Sequence, residues 1–268
     1  MDQRVQAGQL DIPMLPDVAR KVLLITNDPN SDAAQLMKVI QADQALAARV
    51  MRIANSAAYT PNASIVSLQQ AIARLGMLVI RDIALATSLN ARMFKAPGFE
   101  TQIAEMWEHA LTAALWSKEI ARKARKNVEA AFLCGLLHSI GKPIILQETL
   151  DNMKKEGLNI PPGVVMDIVD ELHLDAARLA LQHWKMPELV IDAVTHQNEY
   201  SEATVGQDQA KIIRAAKQFA AHTLTGEPTE DQLLALPALA DLNLYENEVA
   251  DLYALKEAVK QGLEAMRS

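Results

Sequence analysis

The amino-acid sequence predicts an all-α protein. Three observations support this prediction. Aromatic residues, which favour strands, make up only 4% of the chain, while alanine, leucine and methionine, which favour helices, are abundant. No segment alternates apolar and polar residues for long enough to indicate a strand, and the apolar residues instead recur at helical spacing. With 268 residues, half of them hydrophobic, the chain is long enough to bury a substantial core.

The composition excludes several functional classes. A net charge of -7 and a pI near 5.4 argue against binding to nucleic acid, whose phosphates usually contact a basic surface. The single cysteine cannot form an internal disulfide, and the first residues lack the apolar stretch of a secretory signal, so a cytoplasmic protein is expected. The longest uninterrupted apolar run, AAFLCGLL, is far shorter than the roughly 20 residues that cross a bilayer, so no membrane segment is expected.

The first 95 residues predict five short helices. Ser31 can cap the helix that begins near residue 32, and Asp43 can cap the next one. Ser67 and Gln70 have the spacing of a capping box, and Gly76 ends the helix that they begin. These signals define an N-terminal helical subdomain over residues 1–95.

Two further segments follow. The sequence KAPGFE, around Pro97 and Gly98, interrupts the periodicity before a long helix, and a second break at residues 156–163 precedes another helix. We therefore predict a helical subdomain over residues 96–205 and a helical C-terminal extension over residues 206–268. The last part of the extension is amphipathic, and it either covers the core or forms a homodimer.

A helix near the centre of the chain is expected to be buried on all sides. Residues 130–140 include no charged side chain. One face is small, with Ala131, Cys134, Gly135 and His138, and this face would let a neighbouring helix approach closely. His138 then lies at the end of the helix, just before Gly141.

Four histidines occupy inward-facing positions: His109, His138, His173 and His196. Each alone is consistent with a buried, hydrogen-bonded imidazole. Together they indicate a metal site, because imidazole is the commonest metal ligand and helix bundles build such sites from facing helices. Carboxylate ligands, however, are missing. Ser139 follows His138, so a divalent cation would need an acidic side chain from elsewhere, such as Asp170 or Asp192.

Residues 12–59 resemble the opening of the HDOD domain, a bacterial signalling relative of the HD metal-dependent phosphohydrolases. The resemblance rests on Leu15-Pro16, on the turn from Asp43 to Leu46, and on Asn55-Ser56 followed by Tyr59. Later blocks resemble the same family over residues 67–76, 136–142, 173–187 and 192–200. In total the resemblance covers roughly residues 10–205.

The resemblance implies a multi-helix HDOD-type bundle, in which the N-terminal helical subdomain packs on a degenerate HD-like helical subdomain. By the same resemblance, the metal positions of the HD superfamily fall on His109, His138, Ser139, His173 and His196. The doublet that should be His-Asp is His-Ser here. Catalytic relatives often have a second histidine after the last position, where this chain has Gln197. Gln197 and Lys142 are candidates for a ligand cleft.

The leading functional hypothesis is a non-catalytic regulatory module in signal transduction. It would need no cofactor and would act by binding a signalling protein or a small anionic ligand. The alternative is a metal-dependent phosphohydrolase or phosphodiesterase that uses the four histidines and a divalent metal.

Overall fold

A computed structural model describes residues 5, 8–28, 30–60, 64–89 and 94–267. Within these ranges all secondary-structure elements are helices and none is a strand, so the predicted all-α class is confirmed. The chain folds as two compact units. We call Leu15–Asn90 with Glu257–Ser268 the N-terminal unit, and Met1–Met14 with Ala91–Lys256 the histidine unit.

Within the residues that the structure describes, the N-terminal unit contains five consecutive short helices and a sixth helix near residue 260. Helix α5 contacts α1 and α3 most extensively and also packs against α2 and α4, so it forms the centre of this unit. Its residues 80–86 are all buried. The helices are α1 (Asp17–Asn27), α2 (Ala33–Gln41), α3 (Gln44–Ala54), α4 (Leu68–Leu75), α5 (Met77–Ser88) and α15 (Lys256–Arg267).

The helix starts follow local capping chemistry, with one correction. Asp43 and Ser67 accept hydrogen bonds from the backbone three residues later, as predicted. The predicted cap at Ser31 is wrong: Asp32 caps α2 and accepts from the amide of Gln35. Serine and aspartate are both good caps, so their side chains alone could not decide between adjacent positions. The side chain of Gln70 accepts from Val66 rather than Ser67, so the predicted capping box is shifted by one residue.

The histidine unit is built around α7. This helix packs against α6, α10 and α11, while α9 packs against α8 and α10. The helices are α6 (Glu100–Lys123), α7 (Val128–Leu137), α8 (Gly141–Glu156), α9 (Pro162–His183), α10 (Glu188–Thr195), α11 (Gln207–Thr225), α12 (Glu230–Leu234), α13 (Pro237–Ala240) and α14 (Glu246–Tyr253), with a short 3-10 helix at Tyr200–Glu202. Residues of the predicted C-terminal extension up to Lys256 belong to this unit, and the remainder belongs to the N-terminal unit.

Two glycines allow close packing around α7. A Cβ atom at Gly135 would lie 2.5 Å from the hydroxyl of Ser117 and 2.7 Å from the Cα of Ala114, which places α6 directly against the small face of α7. At Gly141 a Cβ atom would overlap the carbonyl oxygen of His173. The turn between α7 and α8 is therefore held against α9 at backbone distance. Residues 131–141 are buried, as the lack of charged side chains predicts.

One described stretch, Val128–Glu156, is long and apolar enough to cross a membrane by length and composition. Within its most apolar window, 78% of the residues are buried inside the protein. Core helices meet the same criterion, so this stretch is weak evidence for a membrane span.

Candidate functional site

A cleft of about 350 Å³ lies within the histidine unit. Its lining residues come from α6, α8, α9 and α11, from the turn between α7 and α8, and from the segment after α10. Six of the seven predicted site residues line it, and four further residues join them. The predicted residues are His109, His138, Ser139, Lys142, His173 and Gln197, and the further ones are Glu105, Met106, Asn198 and Lys217.

His138 and His109 lie side by side in this cleft. Their ring centroids are 5.4 Å apart. The Nδ1 atom of His138 lies 2.7 Å from the carbonyl oxygen of Gly135, and Nε2 of His109 lies 3.3 Å from that of Lys217. A carbonyl oxygen can only accept, so these nitrogens donate. The neutral rings therefore carry their lone pairs on Nε2 of His138 and on Nδ1 of His109.

The other two histidines differ in position. His173 donates from Nδ1 to the carbonyl oxygen of Asp170 at 2.9 Å and lines the cleft. His196 is outside the set of lining residues. Its Nδ1 lies 2.8 Å from the carboxylate of Asp192 and 3.0 Å from the carbonyl oxygen of the same residue. The structure thus brings three of the four predicted histidines into one cleft.

Asp192 organises the turn before α11. Its second carboxylate oxygen accepts from the amides of Thr204, Val205 and Gly206 at 2.7 to 2.8 Å. Burial opposes ionisation of this carboxyl, but the three amide donors prevail and lower its pKa. Asp192 therefore stabilises the fold with oxygens that are already engaged, which leaves it poorly suited to supply the carboxylate missing from the cleft.

Lys217 and Gln197 form the polar floor of the cleft. The ammonium group of Lys217 donates to Oε1 of Gln197 at 3.0 Å and to Oδ1 of Asn198 at 2.9 Å. Gln197 is fully buried and donates from its amide nitrogen to the carbonyl oxygens of His138 and Val194, at 2.7 and 2.9 Å. Gln197 therefore links α11 to the turn that carries His138.

The cleft combines neutral imidazoles with cationic ammonium groups. The pKa of His109 falls to about 4, chiefly because of burial and in smaller part because of the charges of Lys142 and Lys217. Burial likewise lowers the pKa values of His138 and His173. The pKa of Lys217 falls to about 8, first because of burial and then because of Arg214 and Lys142. Near neutral pH the imidazoles are uncharged and Lys217 remains largely protonated.

The donor set of the cleft suits a divalent metal poorly. Among the lining residues only Glu105 carries a carboxylate, and it is exposed. Asp170 is paired with Lys142 at 2.7 Å. Within the described ranges, no group of three or more histidine, cysteine, aspartate or glutamate side chains is arranged to hold a metal ion. Ser139, which the resemblance places at a metal position, contributes only a neutral hydroxyl.

Lys217 and Asn198 were not predicted from the sequence. Lys217 lies in the predicted C-terminal extension, outside the resemblance, and its contact with Gln197 spans 20 residues. A signal was present: Lys217 occupies one face of α11 with Ala210, Ile213 and Ala220, all of them buried. A lysine on an otherwise apolar stripe indicates a partner or ligand inside the protein.

The fold and the cleft define a class of all-helical proteins with a histidine-lined cleft. A family model for the HDOD domain matches residues 12–200. The chain belongs to the HDOD domain family, which confirms the resemblance.

Solved structures share this fold. One is a protein from Shewanella amazonensis, whose name assigns it provisionally to the phosphohydrolases. It is 25% identical to this chain and has a TM-score of 0.73, and the match covers 99% of this chain and 96% of that one. An HDOD domain protein of unknown function from Geobacter sulfurreducens has a TM-score of 0.78, with coverage of 99% and 98%. At 18% identity, that likeness shows the fold alone.

A curated relative is an uncharacterized protein of Treponema pallidum (strain Nichols). It is 22% identical over 234 residues, which represent 83% of this chain and 44% of the relative. The match therefore covers less than half the length of that relative.

Proposed function

We propose that this protein is a regulatory HDOD module that does not hydrolyse phosphoesters and that passes on a signal by binding a ligand or a partner protein. The observation that supports this most directly is Lys217. Its ammonium group lines the same cleft as His109, His138 and His173, and two amide oxygens hold it in place. A fixed cation repels divalent metals, and Ser139 supplies no negative charge in compensation.

A metal-dependent phosphohydrolase is the second candidate function. The hydrogen bonds of two histidines, which leave the Nε2 lone pair of each ring available, favour it. His138 and His173 each donate from Nδ1 to a main-chain carbonyl oxygen. Metal-binding histidines are commonly oriented in this way, with the other nitrogen left for the metal. The provisional name of the Shewanella protein points in the same direction. This function would require an anionic ligand from outside the set of histidines, and Glu105 is the carboxylate that lines the cleft.

Metal analysis and activity measurements on the same preparation separate the two functions. The protein would be purified without chelators, and its content of iron, manganese, zinc, nickel and magnesium determined. Hydrolysis of generic phosphomonoesters and phosphodiesters would then be measured with each metal added. We expect substoichiometric metal and no turnover above that of His138→Ala. Stoichiometric metal together with turnover that His138→Ala abolishes would instead establish the hydrolase.

A further inference from the structure

The ammonium group of Lys217 has no anionic partner among the described residues. Its hydrogen-bond acceptors are the amide oxygens of Gln197 and Asn198, which are neutral. The nearby Arg214 adds positive charge rather than removing it. A charge that is partly removed from water is costly unless it is paired. The cleft therefore favours a bound anion.

Lys142 contributes a second ammonium group to the same cleft from α8. It donates to Asp170 at 2.7 Å, and its side chain is 31% exposed. An ammonium group has three donors. Beyond their bonds to protein oxygens, Lys142 therefore retains two N–H groups and Lys217 retains one, so together they can satisfy several oxygens of one anion.

Ser139 completes the set of donors. The residue is 7% exposed and lines the cleft, and its hydroxyl makes no hydrogen bond within the part of the chain that the structure describes. A carboxylate at this position would repel an anion, whereas a hydroxyl can donate to one. The replacement that weakens a metal site thus improves an anion site.

We propose that the cleft binds a phosphate monoester, with its phosphate group between Lys142 and Lys217 and in hydrogen-bond contact with the hydroxyl of Ser139. The charge of Lys217, which no carboxylate neutralises, attracts the phosphate dianion. The phosphate oxygens can accept from the remaining N–H groups of Lys217 and Lys142 and from the hydroxyl of Ser139. The cleft, at about 350 Å³, has the volume of a small-molecule pocket and exceeds what a phosphate group fills, which leaves space for the esterified part beside Met106. This inference rests on the proposed function and supplies its ligand class.

Titration calorimetry on the full chain tests the proposal with three probes: inorganic phosphate, adenosine 5′-monophosphate, and adenosine as the uncharged control. The variants are Lys217→Met and Lys142→Met, which remove one ammonium group each. Lys211→Met is the matched control, because Lys211 lies on the same helix, outside the lining residues, and contacts the carbonyl oxygen of Asp241.

We expect the monophosphate to bind and adenosine not to bind. The Lys217 and Lys142 variants should each weaken binding by about tenfold or more, the usual effect of losing a charge-assisted hydrogen bond, and Lys211→Met should match the wild type. Binding of inorganic phosphate as well would show that the phosphate group carries the affinity. No binding of the monophosphate, or equal binding of adenosine, would overturn the proposal.

Ser139→Asp keeps the test decisive if Lys217→Met does not fold. The new carboxylate should abolish binding of the monophosphate by repulsion, and retention of wild-type affinity would contradict the proposed site. Release of inorganic phosphate would be followed in the same samples. Turnover with intact, lysine-dependent binding would refute the proposed non-catalytic function alone. Absent binding without turnover would refute only the phosphate monoester site.

Discussion

Gln197 makes three hydrogen bonds, and a histidine, which catalytic relatives often have at this position, could make at most two of them. Its amide donates twice, to His138 and Val194, and accepts once from Lys217. A neutral imidazole has one donor and one acceptor. Gln197 therefore satisfies three partners at once, one of them the ammonium group of Lys217, which Asn198 also holds.

Replacing Gln197 with histidine should destabilise the protein. At least one buried carbonyl oxygen or the ammonium group of Lys217 would lose its partner, which costs about 1–3 kcal/mol in the free energy of unfolding. Urea denaturation measures the change. Gln182→His is the matched control, because Gln182 is exposed and its substitution should change the stability by less than about 0.5 kcal/mol. Equal effects of the two substitutions would contradict the structural role of Gln197.

The buried imidazoles predict loss of stability in mild acid. The folded protein holds the pKa of His109 at about 4, against an ordinary value of 6.5 for histidine. The unfolded chain therefore binds the proton more readily, and stability falls as the pH is lowered from about 6.5 towards 4. The free energy of unfolding would be measured across this interval for the wild type, for His109→Asn and for the exposed His183→Asn.

His109→Asn should reduce the dependence on pH, whereas His183→Asn should leave it as in the wild type. An unchanged slope in His109→Asn would show that this imidazole is not the partly buried, neutral group that the structure describes.

At the scale of the elements, the contact between α8 and α9 depends on Gly141. A methyl group there would overlap the carbonyl oxygen of His173 and would lie 2.7 Å from the amide nitrogen of Ala177. Both are backbone atoms that cannot move without shifting a helix. The sequence predicted the small face around Gly135, but the requirement at Gly141 depends on a neighbour 32 positions away and became visible only in the fold.

Gly141→Ala should lower the free energy of unfolding by about 3 kcal/mol or more, since overpacking against backbone is not relieved by side-chain movement. Gly163→Ala is the matched control. Gly163 also lies in the first turn of a helix, α9, and a Cβ atom there meets nothing within 4 Å. That substitution should be neutral or stabilising by a few tenths of a kcal/mol, because alanine favours helices. Thermal and urea unfolding give both values, and a Gly141→Ala protein as stable as Gly163→Ala would contradict the packing described.

At the scale of the whole molecule, the sequence predicted the all-α class, the family and the helical segments, because these depend on local periodicity and on motifs. It predicted most of the cleft because His138, Ser139 and His173 fall on recognisable blocks and because His109 lies at an inward-facing position of a predicted helix. The sequence did not predict that Lys217 lines the cleft or that α15 belongs to the N-terminal unit. Both depend on contacts between distant segments, which periodicity does not encode.

The assignment of α15 to the N-terminal unit has a measurable consequence. Leu263 is 4% exposed on the inward face of this helix, whereas the side chain of Lys260 is 40% exposed. Leu263→Ala should cost about 2–5 kcal/mol locally and should accelerate hydrogen exchange in α1–α5 more than in α7. Lys260→Ala should change neither region. Faster exchange confined to α7 would contradict the grouping.

The return of α15 also constrains the order of events during synthesis. The histidine unit consists of residues 1–14 and 91–256, so it needs no residue after Lys256. The N-terminal unit, although translated earlier, receives its last helix only when residues 257–268 leave the ribosome. Domains usually fold in the order in which they are made. Here the N-terminal unit is completed after the histidine unit, although most of it is made first. The apolar positions that contact this helix therefore stay exposed to chaperones until residues 257–268 have been made.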